Sequence, residues 1–600
     1  MDSSKYIIKK SSDSTFDINS PKIIYADIET VLVNNVHKPI ALGYTNLDGS
    51  VSNLEIIPFE NFLYGDKFLE VLEQFVDKAS NSVVYFHNLS SFDGFLLLNS
   101  LYKILPPHKI NFIERNNKIY RIELETIVIK DSYLLFPNSL KKLTSLTNLF
   151  YQKWNFNYST ITKIWLKKPF YVKMILKNDV LCLHESFIKL SGLLLSVFSF
   201  NTIPFLTLPS LTLNMYLINF YKQPVIFKNN YVQDSFFRNS YFGGLTELYK
   251  PLLKNGFHYD VNSLYPTVMN LDMPVGISEY FKKPQLNEFF SFFGIAEVEI
   301  ITPHNLYIPL LPKHSIVDGI VTGLGNWKAV YFSEELKAAV SLGYRVKILK
   351  SFRFRRGKIF YDFVNEIYSV RSLFVLKKHP LNKISKYLLN SLYGRFGMKL
   401  VKHSKSIVNF NELHFLKNNF LIKDLKFMNF GNLLVNKEKI NIESSSAYNV
   451  AVHIAASVTS YSRIFIYRYK TIPHNSCVYS DTDSVFLTKR IPKYCINFSL
   501  GGFKKISKLK FSYFLSLKSY LYITNLNQVG VKFKGLNVIE KNKLVPSFFY
   551  NVIKNKGSET LNLKQKHVVF KKQFSFLSIT HKKYIANFKV PFDKRFKKYL

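Results

Sequence analysis

The stretch VYSDTDSVF, residues 478–486, constrains the fold most, because it sets two carboxylates inside a run that otherwise favours a buried strand. Its valine, tyrosine and phenylalanine residues prefer a pleated, half-buried surface. Aspartate is rarely buried without a partner, so Asp481 and Asp483 need a compensating charge. We therefore predict two short strands, Val478–Tyr479 and Val485–Phe486, that hold both carboxylates at or near the tip of a hairpin.

The charge balance of the whole chain indicates a polyanionic partner. Lysine and arginine number 81 against 41 for aspartate and glutamate, a formal net charge of +40. Such an excess favours binding to nucleic acid or to an anionic membrane surface. Aromatic residues make up 16% of the chain and are interleaved with basic ones, as in grooves that bind single strands. Lysine enrichment through an AT-rich genome explains part of the excess, but not the scarcity of acids.

The cysteines and the N-terminal residues indicate the kind of cellular compartment in which the protein acts. Cys182, Cys477 and Cys495 show no paired spacing, so neither a disulfide framework nor a zinc site is expected, and a reducing compartment fits. The N-terminal residues include acids and lack both the apolar core of a secretory signal and the arginine-rich character of a transit peptide. We expect a protein that is not secreted. It would act either in the cytoplasm or inside the compartment that encodes it.

One uncharged segment, from Leu190 to Tyr221, is long enough to cross a bilayer. Pro204 and Pro209 interrupt it, and serine, threonine and asparagine are scattered through it. These residues favour a buried helix followed by an extended crossing, and no membrane insertion is expected. A protein that spans the bilayer here is the alternative, which solubility without detergent would test.

Local patterns predict α/β and α+β domains, and a chain of 600 residues is expected to form about two to four of them. Residues 21–190 alternate β-rich runs with helical patterns, which is typical of an α/β domain. The uncharged segment is the best candidate boundary, and a second α/β region covers about 230–525. The remaining residues are rich in lysine.

Four acids in the first region form a candidate metal site. Asp27 and Glu29 in YADIET are two apart on a predicted strand and so share a face. Asp93 follows a turn in NLSSFD, and Asp179 lies in a predicted helix. Carboxylate oxygens suit Mg²⁺ or Mn²⁺, and two such ions can stabilise both the attacking and the leaving oxygen in phosphodiester cleavage. A lone aspartate is more often a cap or a surface charge, but the apolar flanks of DIE favour the metal site.

The stretch KYLLNSLYGRFG predicts a helix with a polar face, between Asp260 and the hairpin. Its spacing places four residues on one side: Lys386, Asn390, Tyr393 and Gly397. This face offers a cation to a triphosphate and a ring to a base, and Gly394 permits close approach of a backbone. On periodicity alone, a structural helix with a polar face is the simpler alternative.

The order of these motifs resembles that of the family B DNA polymerases. DIE, NLSSFD and the Asp179 helix resemble the three motifs of the proofreading 3′–5′ exonuclease. DVNSLYP, KYLLNSLYG and YSDTDS resemble polymerase motifs A, B and C. The likeness covers about residues 20–535. It implies an RNase H-like exonuclease domain followed by a right-hand polymerase domain of palm, fingers and thumb.

Shorter motifs resemble the protein-primed branch of this family, found in bacteriophages and linear organellar plasmids. SLKKL resembles its motif that grips the primer strand, YFGG its linker between the two domains, and KSY its motif at the primer terminus. The intervals after Asp260 and Lys386 have room for the two terminal-protein-region insertions of the branch. The domains so implied are an N-terminal extension (1–20), the exonuclease (21–190), a linker with the start of the palm (191–245), palm and fingers (246–525, with insertions at about 275–355 and 398–445) and a thumb or basic C-terminal region (526–600).

The resemblance implies two divalent cations, Mg²⁺ or Mn²⁺, at each active site. In the polymerase site the main ligands would be Asp260 and Asp483, with the Val261 carbonyl as a further ligand and Asp481 beside them. In the exonuclease site the ligands would be Asp27, Glu29, Asp93 and Asp179, with Lys153 of KWNF as the catalytic lysine. Phosphoryl transfer relies on such ions, on alignment and on positive charge near the leaving group.

The resemblance also assigns residues to the implied partners, a DNA primer-template and deoxynucleoside triphosphates. Tyr265 would lie under the incoming sugar and exclude ribonucleotides, Lys386 would bind the triphosphate, and Tyr393 would pack at the nascent pair. Further nucleotide contacts are assigned to Ser263, Leu264, Arg371 and Asn390. DNA contacts are assigned to Asn88, Phe92, Ser139, Leu140, Tyr241, Gly243, Gly244, Gly394, Thr482, Lys518 and Tyr520.

One position departs from the family pattern. The third exonuclease motif usually has a tyrosine four residues before its aspartate, where the hydroxyl orients the attacking water. This chain has Ile175 there, and the nearest upstream tyrosine, Tyr171, lies one helical turn earlier. We therefore expect excision that is retained but reduced.

These observations predict a DNA-directed DNA polymerase with a 3′–5′ exonuclease, which replicates a linear plasmid or viral-type genome from a protein primer. Because about 20 residues precede the exonuclease strand, we expect the terminal protein to be a separate chain or a segment already removed. An ordinary nucleic-acid-primed polymerase of the same family is one alternative. A non-catalytic DNA-binding relic is another, although carboxylates near phosphate would weaken mere binding.

Overall fold

The fold is given by a computed structural model. It describes residues 22–45, 55–56, 66–147, 149–154, 168–222, 226, 229–282, 289–315, 319–375, 379–399, 403–428, 431–439, 450–536, 544–555, 563–573 and 577–588. The predicted N-terminal extension lies outside these residues, as do residues 537–543, 556–562, 574–576 and 589–600 of the lysine-rich C-terminal region.

The strands, in chain order, are β1 (Lys22–Val33), β2 (Val36–Tyr44), β3 (Glu55–Ile56), β4 (Ser82–Phe86), β5 (Ile110–Arg115), β6 (Lys118–Leu124), β7 (Ile127–Asp131), β8 (Thr246–Leu248), β9 (Leu252–Lys254), β10 (Phe257–Val261), β11 (Met273–Lys282), β12 (Gly294–Ile301), β13 (Pro312–Ser315), β14 (Gly319–Thr322), β15 (Asn326–Phe332), β16 (Arg345–Gly357), β17 (His403–Val408), β18 (Phe420–Phe427), β19 (Leu433–Lys439), β20 (Cys477–Asp481), β21 (Ser484–Leu487), β22 (Phe503–Ser516), β23 (Ser519–Thr524), β24 (Val529–Phe533), β25 (Leu563–Gln573) and β26 (Ser578–Phe588).

The α-helices are Asp66–Lys78, Asp93–Ile104, Ser132–Leu135, Leu140–Thr147, Pro169–Phe198, Leu208–Met215, Tyr231–Arg238, Leu264–Met269, Ser333–Ser341, Tyr361–Val375, Pro380–Phe396, Leu413–Asn419, Val452–Lys470 and Pro546–Lys554. Short 3₁₀ turns lie at Leu89–Ser91, Pro107–Lys109 and Lys493–Cys495. The predicted mixture of α/β and α+β regions is confirmed.

The exonuclease-like region is built on a nine-stranded sheet. In it β1, β4 and β7 lie side by side and parallel, and β6 and β5 continue the sheet antiparallel. Successive residues of β1 point to opposite faces. Helices Asp66–Lys78 and Asp93–Ile104 cover the face that includes Ile24 and Ile28. Helix Pro169–Phe198 lies against the other face, where Asp27 and Glu29 are directed.

The uncharged segment, Leu190–Tyr221, is only in part the helix and extended crossing that were expected: residues 199–207 are not helical, but the residues after them are. Its first residues form the end of helix Pro169–Phe198. Its later residues form helix Leu208–Met215 and the π-helical turn Tyr216–Phe220. The reason lies in its proline: Pro209 occupies the first turn of a helix capped by the Thr207 side chain, a place where proline is well tolerated. The expected helix and a non-helical stretch after it are thus observed, and the expectation was wrong for the helical residues 208–220.

Helix Phe170–Phe198 has the length and hydropathy of a membrane span, by composition alone and among the described residues. Inside the protein, 39% of its most apolar window is buried. Val172, Leu176 and Val180 form a small core with β1 and β2, and Leu183 and Phe187 extend the main core. One face of the helix therefore packs into the exonuclease-like region, whereas Phe170, Ile188 and Leu195 on it are exposed.

A second sheet, of eight strands, carries motifs A and C. Strand β10 lies between β21 and β22, antiparallel to both, and β20 follows β21. The predicted hairpin is confirmed as β20 and β21, and Thr482 turns the chain between them with a φ of 57°. Because β10 comes from a distant part of the sequence, this pairing brings motifs A and C together.

The two ranges predicted as insertions each contain a separate antiparallel sheet. The first holds β11, β16, β12 and β15, with the pair β13–β14 beside it, and the second holds β17, β19 and β18. Ile407 and Leu434 of the second sheet are buried in the exonuclease core. Lys405 forms an ion pair with Glu114 at 3.2 Å. The second insertion range thus contacts the exonuclease-like region directly.

The C-terminal hairpin extends the exonuclease sheet. Strand β26 pairs with β2 at Thr580 and Val36, and β25 forms the outer edge. Leu577 and Ile579 are buried in the exonuclease core. Sequence analysis grouped these residues with the thumb, because nothing in their local pattern indicates pairing with a strand at the opposite end of the chain.

Candidate active sites

The hairpin β20–β21 and strand β10 bring three predicted carboxylates to one edge of the eight-stranded sheet. Asp481 ends β20, Asp483 follows in the turn, and Asp260 lies near the end of β10. The Val261 amide donates to the Asp483 carbonyl over 2.8 Å, so the two chain segments are joined beside both acids. The structure therefore places Asp260 and Asp483 together.

The electrostatics of Asp260 and Asp483 suit a cation. Burial, followed by the negative charge of Asp260, raises the pKa of Asp483 to about 6. The half-exposed Lys504 places its ammonium 2.9 Å from an Asp260 carboxylate oxygen and supplies some positive charge. Paired carboxylates are the ligands that Mg²⁺ and Mn²⁺ prefer, so the two residues fit the implied ions.

Asp481 has a different set of partners. Its side chain is buried and accepts a hydrogen bond from Thr246 Oγ1 over 2.9 Å. It also lies 3.2 Å from Lys518 Nζ and 3.6 Å from Lys532 Nζ. These groups already compensate its charge. Asp481 therefore organises the lysines at the sheet edge, and Asp260 and Asp483 are the better candidates for metal ligands.

Two tyrosines lie beside these acids. The Tyr265 and Tyr393 rings stack, with centroids 4.6 Å apart. A Cβ on Gly244 would lie 3.0 Å from the Tyr265 hydroxyl and 2.6 Å from a Thr482 methyl, so the close approach requires glycine. The YFGG linker, motif A, motif B and motif C therefore meet at one point.

The predicted polar helix is observed as Pro380–Phe396. Lys386 and Asn390 are exposed on it, and its leucines are buried on the opposite side. The space over Gly394 is open with respect to the described atoms within 4 Å, which leaves room for a ligand. Gly397 ends the helix instead of extending its polar face.

The remaining predicted nucleotide contacts and the YFGG linker lie around this helix. Arg371 donates to Ser263 Oγ over 2.5 Å, while Leu264 and Val261 are buried. The Tyr241 ring fills the space that a side chain at Gly397 would need, and Gly243 has open space around its α-carbon.

Lys518 and Tyr520 of the KSY motif have different surroundings. Lys518 is half exposed, in the turn before β23, and reaches Asp481. Tyr520 is only 4% exposed, and its ring packs against Tyr479 and Phe514 with centroids 5.1 and 5.5 Å apart. In this structure the tyrosine mainly supports the β20–β21 hairpin, and the lysine is the exposed member of the motif.

The first carboxylate set lines a pocket of about 540 Å³ in the exonuclease-like region. One carboxylate oxygen each from Asp27, Glu29 and Asp179 lies within 4.8 Å of the others. Asp93, the first residue of helix Asp93–Ile104, lines the same pocket. The alternation along β1 explains this, since it turns Asp27 and Glu29 toward the helix that carries Asp179.

Burial and mutual repulsion dominate the electrostatics of this pocket. Burial raises the pKa of Asp27 to about 6 and, with the charge of Asp27, that of Glu29 to about 8. The pKa of Asp93 also lies well above its usual range, through burial and then the charge of Asp27. Lys153 forms an ion pair with Asp179 and offsets part of the negative charge. A cluster of this kind fits hard divalent cations.

The predicted strand-gripping residues line the same pocket: Asn88, Phe92, Ser139 and Leu140. Sequence analysis missed the buried residue that holds their loop, Asp131. Its carboxylate accepts hydrogen bonds from the backbone amides of Asn88, Ser90 and Tyr133, at 2.9, 2.9 and 2.8 Å. Asp131 ends the mostly apolar strand sequence IVIKD. An acid beside apolar strand residues is the signal that could have found it, and the same signal indicated the acids of DIE.

The position of the expected exonuclease tyrosine is filled by a buried isoleucine. Ile175 is 4% exposed and lies one turn before Asp179. Tyr171 is 49% exposed, near Lys168, and does not line the pocket. The pocket wall does include Tyr133, whose ring packs against His87 with centroids 5.6 Å apart.

Comparison with known proteins shows the family to which this chain belongs and the solved structures that share its fold. The family described as "DNA polymerase type B, organellar and viral" matches residues 76–174 and 173–475. A "Probable DNA polymerase" from Podospora anserina is 33% identical over 331 residues, which cover 50% of this chain and 27% of that protein. Another from Neurospora intermedia is 27% identical over 585 residues, 85% of this chain and 59% of that protein. The chain thus spans between about a quarter and three fifths of these relatives' length.

The same architecture occurs in a solved structure. Phi29 DNA polymerase complexed with primer-template DNA and incoming nucleotide substrates superposes with a TM-score of 0.71 at 19% identity. The superposition covers 96% of this chain and 100% of the Phi29 chain. At this identity the likeness establishes the fold: an exonuclease domain followed by palm, fingers and thumb.

Proposed function

Because this chain belongs to the organellar and viral type B DNA polymerases, we propose that it is a DNA-directed DNA polymerase with a 3′–5′ exonuclease and that it starts synthesis from a protein primer. Its substrates would be deoxynucleoside triphosphates and a DNA primer-template. It would replicate a linear plasmid or viral-type genome, in a mitochondrion or at a cytoplasmic replication site.

One observation carries the polymerase activity: Asp260 and Asp483, from distant segments, meet beside the stacked Tyr265 and Tyr393. These acids would hold the divalent ions, which supply charge stabilisation for phosphoryl transfer. The stack would lie against the sugar and base of the incoming nucleotide. A hydroxyl added at the sugar 2′ position would meet the Tyr265 ring, which gives this residue its role in excluding ribonucleotides.

Positive charge for the triphosphate would come from the helix Pro380–Phe396 and its neighbour. Lys386 is exposed on the polar face, and Arg371 is held by Ser263 at the start of helix Leu264–Met269. Lys518, fixed by Asp481, would contact the primer strand. These three cations would align the triphosphate and the primer strand with the fixed acids. Phosphoryl transfer requires mainly such alignment and positive charge from a protein.

The second carboxylate cluster supports the proofreading activity. The pocket of about 540 Å³ has room for a terminal nucleotide, and Phe92 and Leu140 offer it apolar contact. Asp27, Glu29, Asp93 and Asp179 would hold the ions there, and Lys153 would stabilise the negative charge that develops on the phosphate. With Ile175 in place of a tyrosine, excision would be reduced.

Priming by protein is supported by the two separate sheets in the ranges predicted as terminal-protein-region insertions, and by the Phi29-like fold. The primer would be a terminal protein whose hydroxyl accepts the first nucleotide. Transfer of a labelled deoxynucleoside monophosphate to a partner protein would support this start. Synthesis from nucleic-acid primers without any such transfer would favour the ordinary family B alternative.

The decisive experiment for the enzyme is primer extension with Mg²⁺, comparing the protein with Asp483→Ala. We expect extension by the unaltered protein and none above background by the variant. Equal extension by both would overturn the mechanism. DNA binding without extension by either would favour a non-catalytic relic.

A further inference from the structure

A hydrogen bond joins the polymerase helix Pro380–Phe396 to the exonuclease pocket. The Tyr387 hydroxyl donates to Asn138 Oδ1 over 3.0 Å. Tyr387 follows Lys386 in the chain, and Asn138 precedes Ser139, which lines the exonuclease pocket. The contact therefore connects residues adjacent to two sites that lie in different domains.

Asn138 is well placed to transmit its orientation to the pocket. The residue is 6% exposed, and its amide donates to the Phe136 carbonyl over 2.7 Å. Its own carbonyl accepts a hydrogen bond from His87 Nε2 over 3.0 Å, and His87 is itself part of the pocket wall. The next residue, Ser139, immediately precedes helix Leu140–Thr147, and its carbonyl accepts hydrogen bonds from the first turn of that helix. A rotation of Asn138 would therefore move the pocket wall on both sides.

Two lysines lie near this junction, one on each of the two elements that it joins. Lys383 lies one helical turn before Tyr387 and so shares its face. Partial burial, and then the nearby Lys142 of the exonuclease helix, lowers the pKa of Lys383. The charge of Lys142 thus acts on Lys383 across the junction that the Tyr387–Asn138 hydrogen bond joins.

We propose that Tyr387 is a positioning residue for excision: through Asn138 it holds Ser139 and Leu140 in the orientation that grips the 3′ end of a strand. The inference rests on the proposed exonuclease function. It means that the exonuclease site is completed by a side chain of the polymerase domain. Tyr387 itself touches neither the carboxylates nor the strand.

The test compares Tyr387→Phe with the unaltered protein on a single-stranded oligodeoxynucleotide, with Mg²⁺ and no nucleotides. Loss of one hydrogen bond is expected to raise KM for the strand about fivefold, with kcat changed less than about twofold. Primer extension should not change. The matched control is Tyr368→Phe, since the Tyr368 hydroxyl donates to the Phe498 carbonyl over 2.8 Å in the polymerase domain; it should leave excision unaltered.

A double-variant experiment separates positioning from general damage. Asn138→Ala should raise KM by a similar factor, and adding Tyr387→Phe to it should have no further effect, because both changes remove the same contact. An unchanged KM in Tyr387→Phe, or effects that multiply, would overturn the proposal. Equal losses of excision and extension would also overturn it, since they would show damage to the fold.

A second readout does not depend on activity. The amides of Lys142 and Leu143 donate to the Ser139 carbonyl over 2.8 and 3.0 Å. Hydrogen exchange at these amides should accelerate in Tyr387→Phe and not in Tyr368→Phe. If the unaltered protein excises nothing, the proposed exonuclease fails, and exchange alone then decides whether Tyr387 positions this loop. Unchanged exchange would overturn the inference.

Discussion

The two carboxylate sites differ in how the protein supplies positive charge to them. At the polymerase edge three lysines reach the acids: Lys504 lies beside Asp260, and Lys518 and Lys532 lie beside Asp481. In the exonuclease pocket four acids lie together, three of them buried and Asp27 half-buried, and Lys153 forms an ion pair with Asp179. The first site is an open edge partly balanced by protein cations. The second is a pocket in which burial and the charge of Asp27 raise the pKa of the neighbouring acids Glu29 and Asp93.

The two sites also differ in the pH at which their carboxyl groups ionise. Around the polymerase edge, burial raises the pKa of Asp483 to about 6. In the exonuclease pocket the pKa of Glu29 rises to about 8, because burial and the charge of Asp27 act together. A carboxylic acid must lose its proton before it binds a metal ion. Metal binding in the exonuclease pocket should therefore weaken sooner as the pH falls.

The largest expected effect is the separation of the two activities. Asp483→Ala should lower primer extension by about a thousandfold or more and leave excision intact, because metal ligands contribute several kcal/mol to the transition state. Asp27→Ala should do the reverse. Both activities are measured on labelled oligodeoxynucleotides, with the exposed Asp362→Ala as control. If either variant lost both activities while folded, the two sites would not be independent.

A smaller loss is expected at Asp481, which distinguishes two acids of one motif. Asp481→Asn removes the charge that holds Lys518 and Lys532 but leaves Asp260 and Asp483 in place. We expect extension to fall about ten- to hundredfold, mainly through weaker binding of the primer end. Steady-state kinetics with varied primer-template would show it. A loss as large as that of Asp483→Ala would instead make Asp481 a metal ligand.

The pH dependence compares the sites directly. Both raised pKa values mean that the acids take up protons as the pH falls, Glu29 near pH 8 and Asp483 near pH 6. At limiting Mg²⁺, the ratio of excision to extension should fall about twentyfold between pH 8 and pH 6. Excess Mg²⁺ should reduce this change, since the ion competes with protons. A ratio that is constant with pH would contradict the contrast between the sites.

The smallest expected effect concerns Ile175. The variant Ile175→Tyr should raise excision about two- to tenfold, because a hydroxyl one turn before Asp179 can orient the attacking water. The site is buried, so the larger ring should also lower the melting temperature. Single-turnover excision of a mismatched 3′ end and thermal melting measure both. Unaltered excision would show that the isoleucine does not limit the reaction.

Much of each site could be predicted because its signal is local. The hairpin around Asp481 and Asp483 follows from β-forming residues on both sides of a turn, and it is observed as β20 and β21. The shared face of Asp27 and Glu29 follows from the alternation of a strand. The helix with Lys386 follows from its periodicity. In each case a few neighbouring residues carry the whole pattern.

Other features could not be predicted because they depend on distant partners. Tyr520 was assigned to DNA by its motif, but it packs in the core under β20. Asp131 was missed because two of its three hydrogen-bond donors, Asn88 and Ser90, follow the neighbouring strand β4 and are more than 40 residues away in the chain. The C-terminal hairpin joins the exonuclease sheet through Val36 and Thr580. No window of sequence contains both members of such pairs.

The sequence by itself determined which acids exist, which strands and helices present them, and which family pattern they follow. These properties follow from propensity and periodicity, which act over a few residues. Only the tertiary structure decided that Lys518 and Lys532 compensate Asp481, that Lys504 partly compensates Asp260 beside Asp483, and that Tyr387 reaches Asn138. Charge compensation and hydrogen bonding depend on distances of a few ångströms between segments far apart in the chain, and packing alone sets those distances.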